Sequence, residues 1–176
     1  VRVPRPYAYA HGVVLMELLT DAHGDAAPRL NDVVLPEMLA VEYHATMLRE
    51  VVRMLCAGVI HGDLSEYNVL VTGEGPVIID LPQAVDAAAN NNAAAMLKRD
   101  VLNITTYFSR FAPALAATRY GDEIWSLYES GELHPDAVLT GRFATSTRPA
   151  DVAAVMQEIA AVRAEPDAMT ALLLGV

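Results

Sequence analysis

The sequence predicts an α+β domain, mostly helical, with a small β-hairpin and one or two strands toward its N-terminal end. Three observations lead there. Long stretches repeat apolar residues at three- and four-residue steps. Two short β-rich runs, "NVLV" at 68–71 and "PVIID" at 76–80, flank the two-glycine turn "TGEG". The 176 residues are 53% hydrophobic and 19% charged, a globular composition that suits one domain with a sizeable core.

Taken in order, "VRVPRPYAYA" is Pro-punctuated and extended, and "HGVVLMELL" (11–19) reads as a buried strand leaving toward a loop. "TDAHGDAAPRLNDV" has Gly, Asp and Pro at turn density and is a loop. Pro36 stands where a helix can start. Leu39, Tyr43, Met47, Val51, Met54 and Leu55 then form one apolar stripe that ends near Gly58. After the hairpin, "QAVDAAANNN" is loop. Met96, Leu97, Val101, Ile104, Tyr107, Phe108 and Phe111 mark a second helix. "DEIWSLYESG" reads as a helix stopped by Gly131, "HPDAVLTG" as a short helical turn, and 148–165 as a final helix with Asp151 in its first turn.

Charge and cysteine content narrow the function classes. Twenty-two acids against 12 basic residues give a net charge of −10, without a Lys/Arg run, so no direct nucleic-acid partner is expected. Cys56 is the only cysteine, which excludes an intrachain disulfide and a Cys-based zinc site and fits a reducing cytoplasm. Charges interrupt every apolar stretch short of the ~18–20 residues of a membrane span, so no membrane partner is expected. No charged segment leads into an apolar signal-like run.

The chemistry gathers in "HGDLSEYNVLVTGEGPVIID". His61-Gly62-Asp63-Leu64 is followed by Asn68, and Asp80 ends the second strand of the hairpin. This is H-x-D-L-x-x-x-N followed by a strand and an Asp, the catalytic pattern of protein kinases. Phosphoryl transfer needs an acceptor held in line and divalent ions that neutralise phosphate charge. Asp63 can orient the acceptor hydroxyl or take its proton. Asn68 and Asp80 offer the oxygens that Mg²⁺ (or Mn²⁺) prefers. Entry to one strand and exit from the other would put these two at one end of the hairpin. His61 is better explained as holding the loop through backbone hydrogen bonds than as a general base. Taken singly, these residues are ordinary caps and turn formers. The ordered set is what points to a site.

"HGDLSEYNVLV" together with "VIIDLPQAVD" resembles the RIO family of atypical serine protein kinases. Ser65-Glu66-Tyr67-Asn68 and Asp80-Leu81-Pro82-Gln83 carry the resemblance. "LMELL" is similar to the family's hinge, "APRLNDV" to the segment after it, "LKRDVLNITTYF" to the helix after the metal loop, and "YGDEIWSLYESGEL" to bacterial members. The resemblance implies a kinase-like C-lobe with ATP and Mg²⁺ bound. Asp63 would be the catalytic acid, supported by His61, Ser65 and Tyr67. Asn68 and Asp80 would be metal ligands, with Asp80 also able to accept a phosphoryl group. Met16 would be the gatekeeper, Glu17 and Leu19 would meet adenine through backbone groups, and Leu70 and Ile79 would lie beneath the ring.

A kinase also needs a Gly-rich loop and a strand lysine upstream of the hinge. The residues before the hinge contain Gly12 and no lysine, and Lys98, the only lysine, comes after Asp80. The expectation is therefore the end of N-lobe strands and hinge at 1–19, a C-lobe at 20–176, and an N-lobe absent or nearly so. A chain opening "VRVPRPYAYAHG" reads as a fragment or processed product, weakly active or inactive alone, with self-association through the surface an N-lobe would cover. The protein substrate is not specified. Two rivals remain: an aminoglycoside- or choline-kinase-like phosphotransferase, against which residues 65–67 and 81–83 argue, and a pseudokinase or scaffold module. Trp125, Leu127 and Tyr128 are expected in the core or on a surface ridge. Glu42 is expected to be solvated, and His23, His44 and His134 are not expected to bind metal.

Overall fold

Pro36 closes the N-terminal end of the longest helix, α1 (Glu37–Cys56), and Gly58 follows its C-terminal end, as the sequence predicts. The structure, a computed structural model, describes residues 1–144. The helix expected over 148–165 lies outside the described residues. Residues 1–143 pack as one unit. Its architecture is α+β: three α-helices and three two-stranded antiparallel sheets among the described residues.

Strands β1 (Pro6–Ala10) and β2 (Val13–Met16) form a hairpin turning at His11 and Gly12. Residues 11–19 were expected to be a buried strand. Instead every residue of both strands is exposed, and burial begins at Leu19. The apolar character of "VVLM" reflects a face that the described residues leave uncovered. Strands β4 (Val69–Thr72) and β5 (Gly75–Ile78) form the predicted hairpin, with Thr72 paired to Gly75. Its turn is pinned by the Thr72 hydroxyl, which donates to the Gly75 carbonyl at 2.8 Å and accepts from the Glu74 N–H. The sequence predicts a loop over 83–92. The structure adds a two-residue pairing there, β3 (Val59–Ile60) with β6 (Val85–Asp86). These runs are too short to show period-two alternation.

Helix α2 (Ala93–Ser109) is the centre of the core, packing against α1, α3 (Tyr120–Glu129) and the 3₁₀ turn Pro113–Ala117. Phe108, Ile104 and Leu97 are buried on it, beside Met47, Leu55 and Ile124. Gly121 lets α3 approach closely. A Cβ there would stand 3.1 Å from the Lys98 Cα. Trp125 and Tyr128 pack partly buried against this core, and Glu42 is exposed, both as expected. Residues 134–141, expected to be a short helical turn, contain a single hydrogen-bonded turn, Ala137 N–H to the His134 carbonyl.

The stripe on α1 is correct in its C-terminal half and rotated in its N-terminal half. Leu39 and Tyr43 are only partly buried, whereas Ala40 and His44 are fully so. One residue is about 100° of helix. His44 takes the inward position because it finds partners there. Its Nε2 lies 2.9 Å from the Thr105 hydroxyl of α2, and its ring packs on Phe108 and Tyr120.

Desolvation lowers the His44 pKa from 6.5 to about 4. The ring is neutral in the folded protein and free to protonate once unfolded. Between those values the unfolded state binds more protons, so stability falls as pH drops through that window. The expected loss is about 3 kcal/mol by pH 4. Urea unfolding from pH 7 to pH 4 checks this, and His44→Gln should flatten that part of the slope.

Candidate functional site

The loop from His61 to Asn68 is built on backbone hydrogen bonds from one buried acid. Asp100 on α2 is 1% exposed. It accepts the Gly62 N–H at 2.7 Å through Oδ2 and the Leu64 N–H at 3.2 Å through Oδ1. The two amides flank Asp63, whose own side chain is exposed to solvent. Burial pushes the Asp100 pKa up, while the two N–H groups, His61 and Arg99 pull it down. Arg99 also donates to the Gly62 carbonyl, and Asn103 donates to the Leu64 carbonyl at 3.2 Å. Three residues of one helix therefore hold the loop from beneath.

His61 has the backbone role expected of it. The Asp63 N–H donates to Nδ1 at 3.3 Å, so the ring proton is on Nε2, which donates to the Ile79 carbonyl at 3.0 Å. One imidazole thus joins the Asp63 loop to the strand end carrying Asp80. Gly62 has φ +83, a conformation that L side chains rarely adopt, and a Cβ there would stand 2.7 Å from the Gln83 carbonyl oxygen. This position is therefore closed to larger residues.

Asn68 ends a 3₁₀ turn, Glu66–Asn68, that follows Ser65. Ser65 contributes its carbonyl, which accepts the Asn68 N–H at 3.0 Å. The Asn68 carbonyl accepts the Ile79 N–H at 3.0 Å, extending the hairpin pairing of Val69 with Ile78 by one step. Asn68 and Asp80 are thus at the same end of the hairpin, as the strand boundaries predicted. The Asn68 side-chain amide donates to the Asp63 carbonyl at 2.8 Å, which leaves its Oδ1 as the remaining acceptor. Asp80 is exposed and has φ 67, a left-handed conformation that Asp tolerates better than most residues. The carboxylates of Asp63 and Asp80 have no hydrogen-bond partner among the described residues. One amide oxygen, one free carboxylate and room for water and phosphate suit Mg²⁺, which is commonly held by one or two carboxylates plus substrate. Among the described residues no group of three or more His, Cys, Asp or Glu side chains forms a self-sufficient metal cage.

Beside this end of the hairpin is a cavity of about 770 Å³. Met16, Glu17, Leu19, Leu70 and Ile79 all line it, together with Tyr67, Asn68 and Asp80. Its size and mostly apolar walls suit a nucleotide-sized ligand. Tyr67, expected to support the loop, is half exposed and forms part of the cavity wall. At the chain's passage from β2 into the core, the Glu17 N–H is taken by the Arg5 carbonyl and the Leu19 carbonyl by the Ala27 N–H. The Glu17 carbonyl and Leu19 N–H have no backbone partner among the described residues. Lys98 is remote in role: its Nζ pairs with Asp122 at 3.1 Å.

Sequence reading missed Asp100, Arg99 and Asn103. The available signal was three polar residues at i, i+1 and i+4 in a helix that otherwise reads as core. It also missed the cavity walls contributed by Val3, Pro4 and Pro6, from a segment with no motif, and by Arg29, within "APRLNDV" but given no role of its own.

The RIO domain family matches residues 1–120. The RIO-type serine/threonine-protein kinase Rio1 of Haloferax volcanii is 41% identical over 111 residues, 62% of this chain and 37% of that protein. The RIO-type serine/threonine-protein kinase Rio2 of Methanocaldococcus jannaschii is 34% identical over 116 residues, 63% of this chain and 40% of that protein. The Rio1 of Thermoplasma acidophilum is 32% identical over 110 residues, 62% of this chain and 55% of that protein. The matched segment thus spans well under two thirds of each relative. No helix among the described residues is long and apolar enough to cross a membrane.

Replacing Asp100 by Asn removes one of two carboxylate acceptors and strands a buried N–H. The expected cost is about 1–3 kcal/mol of stability, with faster amide hydrogen exchange at Gly62 and Leu64 than at the β4–β5 hairpin. Unchanged protection at both amides would remove Asp100 from this role.

Proposed function

The chain belongs to the RIO family, and from that premise we propose that it carries the catalytic and metal-binding half of an ATP- and Mg²⁺-dependent phosphoryl-transfer site of the serine-kinase or ATPase kind. The observation that carries this reading is the convergence of Asp63, Asn68 and Asp80 at one end of a hairpin, against a cavity lined by all five residues expected to meet a nucleotide.

Adenine presents a donor beside an acceptor. The Glu17 carbonyl would accept from its amino group and the Leu19 N–H would donate to its ring nitrogen. Leu70 and Ile79 would cover one face of the ring, and Met16 would close the back of the cavity. Asn68 Oδ1 and the Asp80 carboxylate would hold the divalent ion, which neutralises phosphate charge when bound. Asp63 would receive the proton of a serine hydroxyl as its oxygen bonds to the γ-phosphorus and ADP leaves. Asp80, exposed and without a hydrogen-bond partner among the described residues, would also accept the phosphoryl group itself, its carboxylate oxygen bonding to phosphorus as ADP leaves. Asp100 and His61 would fix the geometry of this end without touching the reactants.

The 176 residues contain no Gly-rich loop and no lysine before the hinge. Positioning is most of the catalysis in phosphoryl transfer, so this chain alone would bind ATP weakly and turn it over slowly. Family membership favours this chemistry over that of a small-molecule phosphotransferase. A scaffold role would be favoured by failure to bind nucleotide.

Calorimetry with ATP should show binding that requires Mg²⁺ and is lost in Asp80→Ala. Asp63→Asn should keep binding while lowering residual turnover by about 10²-fold or more. Equal turnover in Asp63→Asn, or binding indifferent to Mg²⁺ and to Asp80, would overturn the assignment.

The exposed apolar hairpin adds a second expectation, self-association of this chain. Tyr7, Tyr9, Val13 and Leu15 are 59–74% exposed, and such patches drive association. Light scattering should show dimers or larger species at tens of micromolar, reverting to monomer in Tyr9→Lys/Leu15→Lys. A monomer at all concentrations would contradict it.

A further inference from the structure

The charged residues lining the cavity beside the β4–β5 hairpin are Glu17, Asp80 and Arg29. Arg29 is the one cation in that wall among the described residues. Its side chain has no hydrogen bond and no ion pair among the described residues. Neighbouring cations are committed elsewhere. Arg2 pairs with Glu74 at 2.9 Å, Lys98 pairs with Asp122 at 3.1 Å, and the Arg5 guanidinium lies over the Tyr7 ring.

The backbone fixes the face on which Arg29 stands. The residue is extended, with φ −70 and ψ 150, and bridges antiparallel to Leu70 of β4. One step along, the Pro28 carbonyl accepts the Val71 N–H at 2.9 Å. Residues opposite each other in an antiparallel pair project to the same face, and successive residues alternate. Val69, next to Leu70, and Leu30, next to Arg29, are both 0% exposed and belong to the core. Leu70 and Arg29 therefore both project away from the core, and both line the cavity on that side.

Charge then defines what Arg29 meets. A nucleoside triphosphate stays anionic with one divalent ion bound, and the other charged residues of this wall are acids. A guanidinium donates two parallel N–H groups to phosphate oxygens, a match that a single ammonium lacks. Asn68, at the metal end, is two residues from Leu70, about 7 Å along an extended chain, and an extended arginine side chain spans that distance. We propose that Arg29 binds the phosphate chain of the nucleotide and is the cation of this site. The proposal rests on the nucleotide reading of the cavity and assigns a residue to the phosphates, where that reading has only the divalent ion.

The test compares magnesium ATP with adenosine as probes of the full chain, by NMR shift titration. Arg29→Gln should weaken ATP binding about 10-fold, near the low end for a hydrogen bond to a charged group, and leave adenosine affinity unchanged. Arg29→Lys keeps the charge without the fork and should recover part of the loss. Added salt should weaken ATP binding more in the wild type than in Arg29→Gln. Arg29 is exposed, so thermal melting of both variants should match the wild type. Unchanged ATP affinity in Arg29→Gln, with wild-type binding intact, would overturn this proposal alone. So would equal losses for ATP and adenosine, which would assign Arg29 to the nucleoside or to the shape of the wall. Absence of ATP binding to the wild type would overturn the nucleotide reading and this proposal with it.

Discussion

A buried carboxylate under a backbone loop is the constraint on which the rest of this structure depends. Asp100 takes two amide protons on either side of Asp63 and leaves the Asp63 side chain pointing outward. A carboxylate with 1% exposure is costly unless its oxygens are occupied. The loop needs the acid to satisfy its N–H groups, and the acid needs the loop. Moving α2 would break both arrangements together, so the packing of Leu97, Ile104 and Phe108 also sets the position of the loop that carries Asp63. Through His61 the same constraint reaches Ile79 and hence Asp80.

Residues next to the motif turn out to be part of it. Ordinary protein kinases usually have Arg at the position of Gly62. Here the left-handed backbone and the Gln83 carbonyl leave no room for a Cβ. Gly62 beside Asp63 and Gln83 after Asp80 are therefore one structural feature, written in two places. Arg99 reaches the Gly62 carbonyl from α2 instead, which places a cation under the loop by another route.

Legibility in the sequence followed the range of the interactions. The β4–β5 hairpin, α1 with its Pro36 and Gly58 ends, and the convergence of Asn68 with Asp80 were readable because each depends on neighbours close in the chain. The expectation that Glu17 and Leu19 meet adenine came from family resemblance alone; among the described residues the Glu17 carbonyl and Leu19 N–H have no backbone partner. Contacts across about 36 to 61 residues were not readable. Asp100 looks like an acid on a helix until Gly62 is known to lie above it, and His44 looks isolated until Thr105 faces it. The exposure of β2 was misread because "VVLM" has the composition of a buried strand whichever face is covered.

The central claim is that one end of the β4–β5 hairpin and the adjoining cavity hold a magnesium nucleotide. Backbone and side-chain amide NMR shifts during titration with Mg²⁺ and a non-hydrolysable ATP analogue test it most directly. The account predicts saturable shifts at Leu19, Leu70, Ile79, Asp80 and the Asn68 side-chain amide, with those near Asn68 and Asp80 absent when Mg²⁺ is omitted. Shifts confined to other surfaces, or none at millimolar nucleotide, would contradict it.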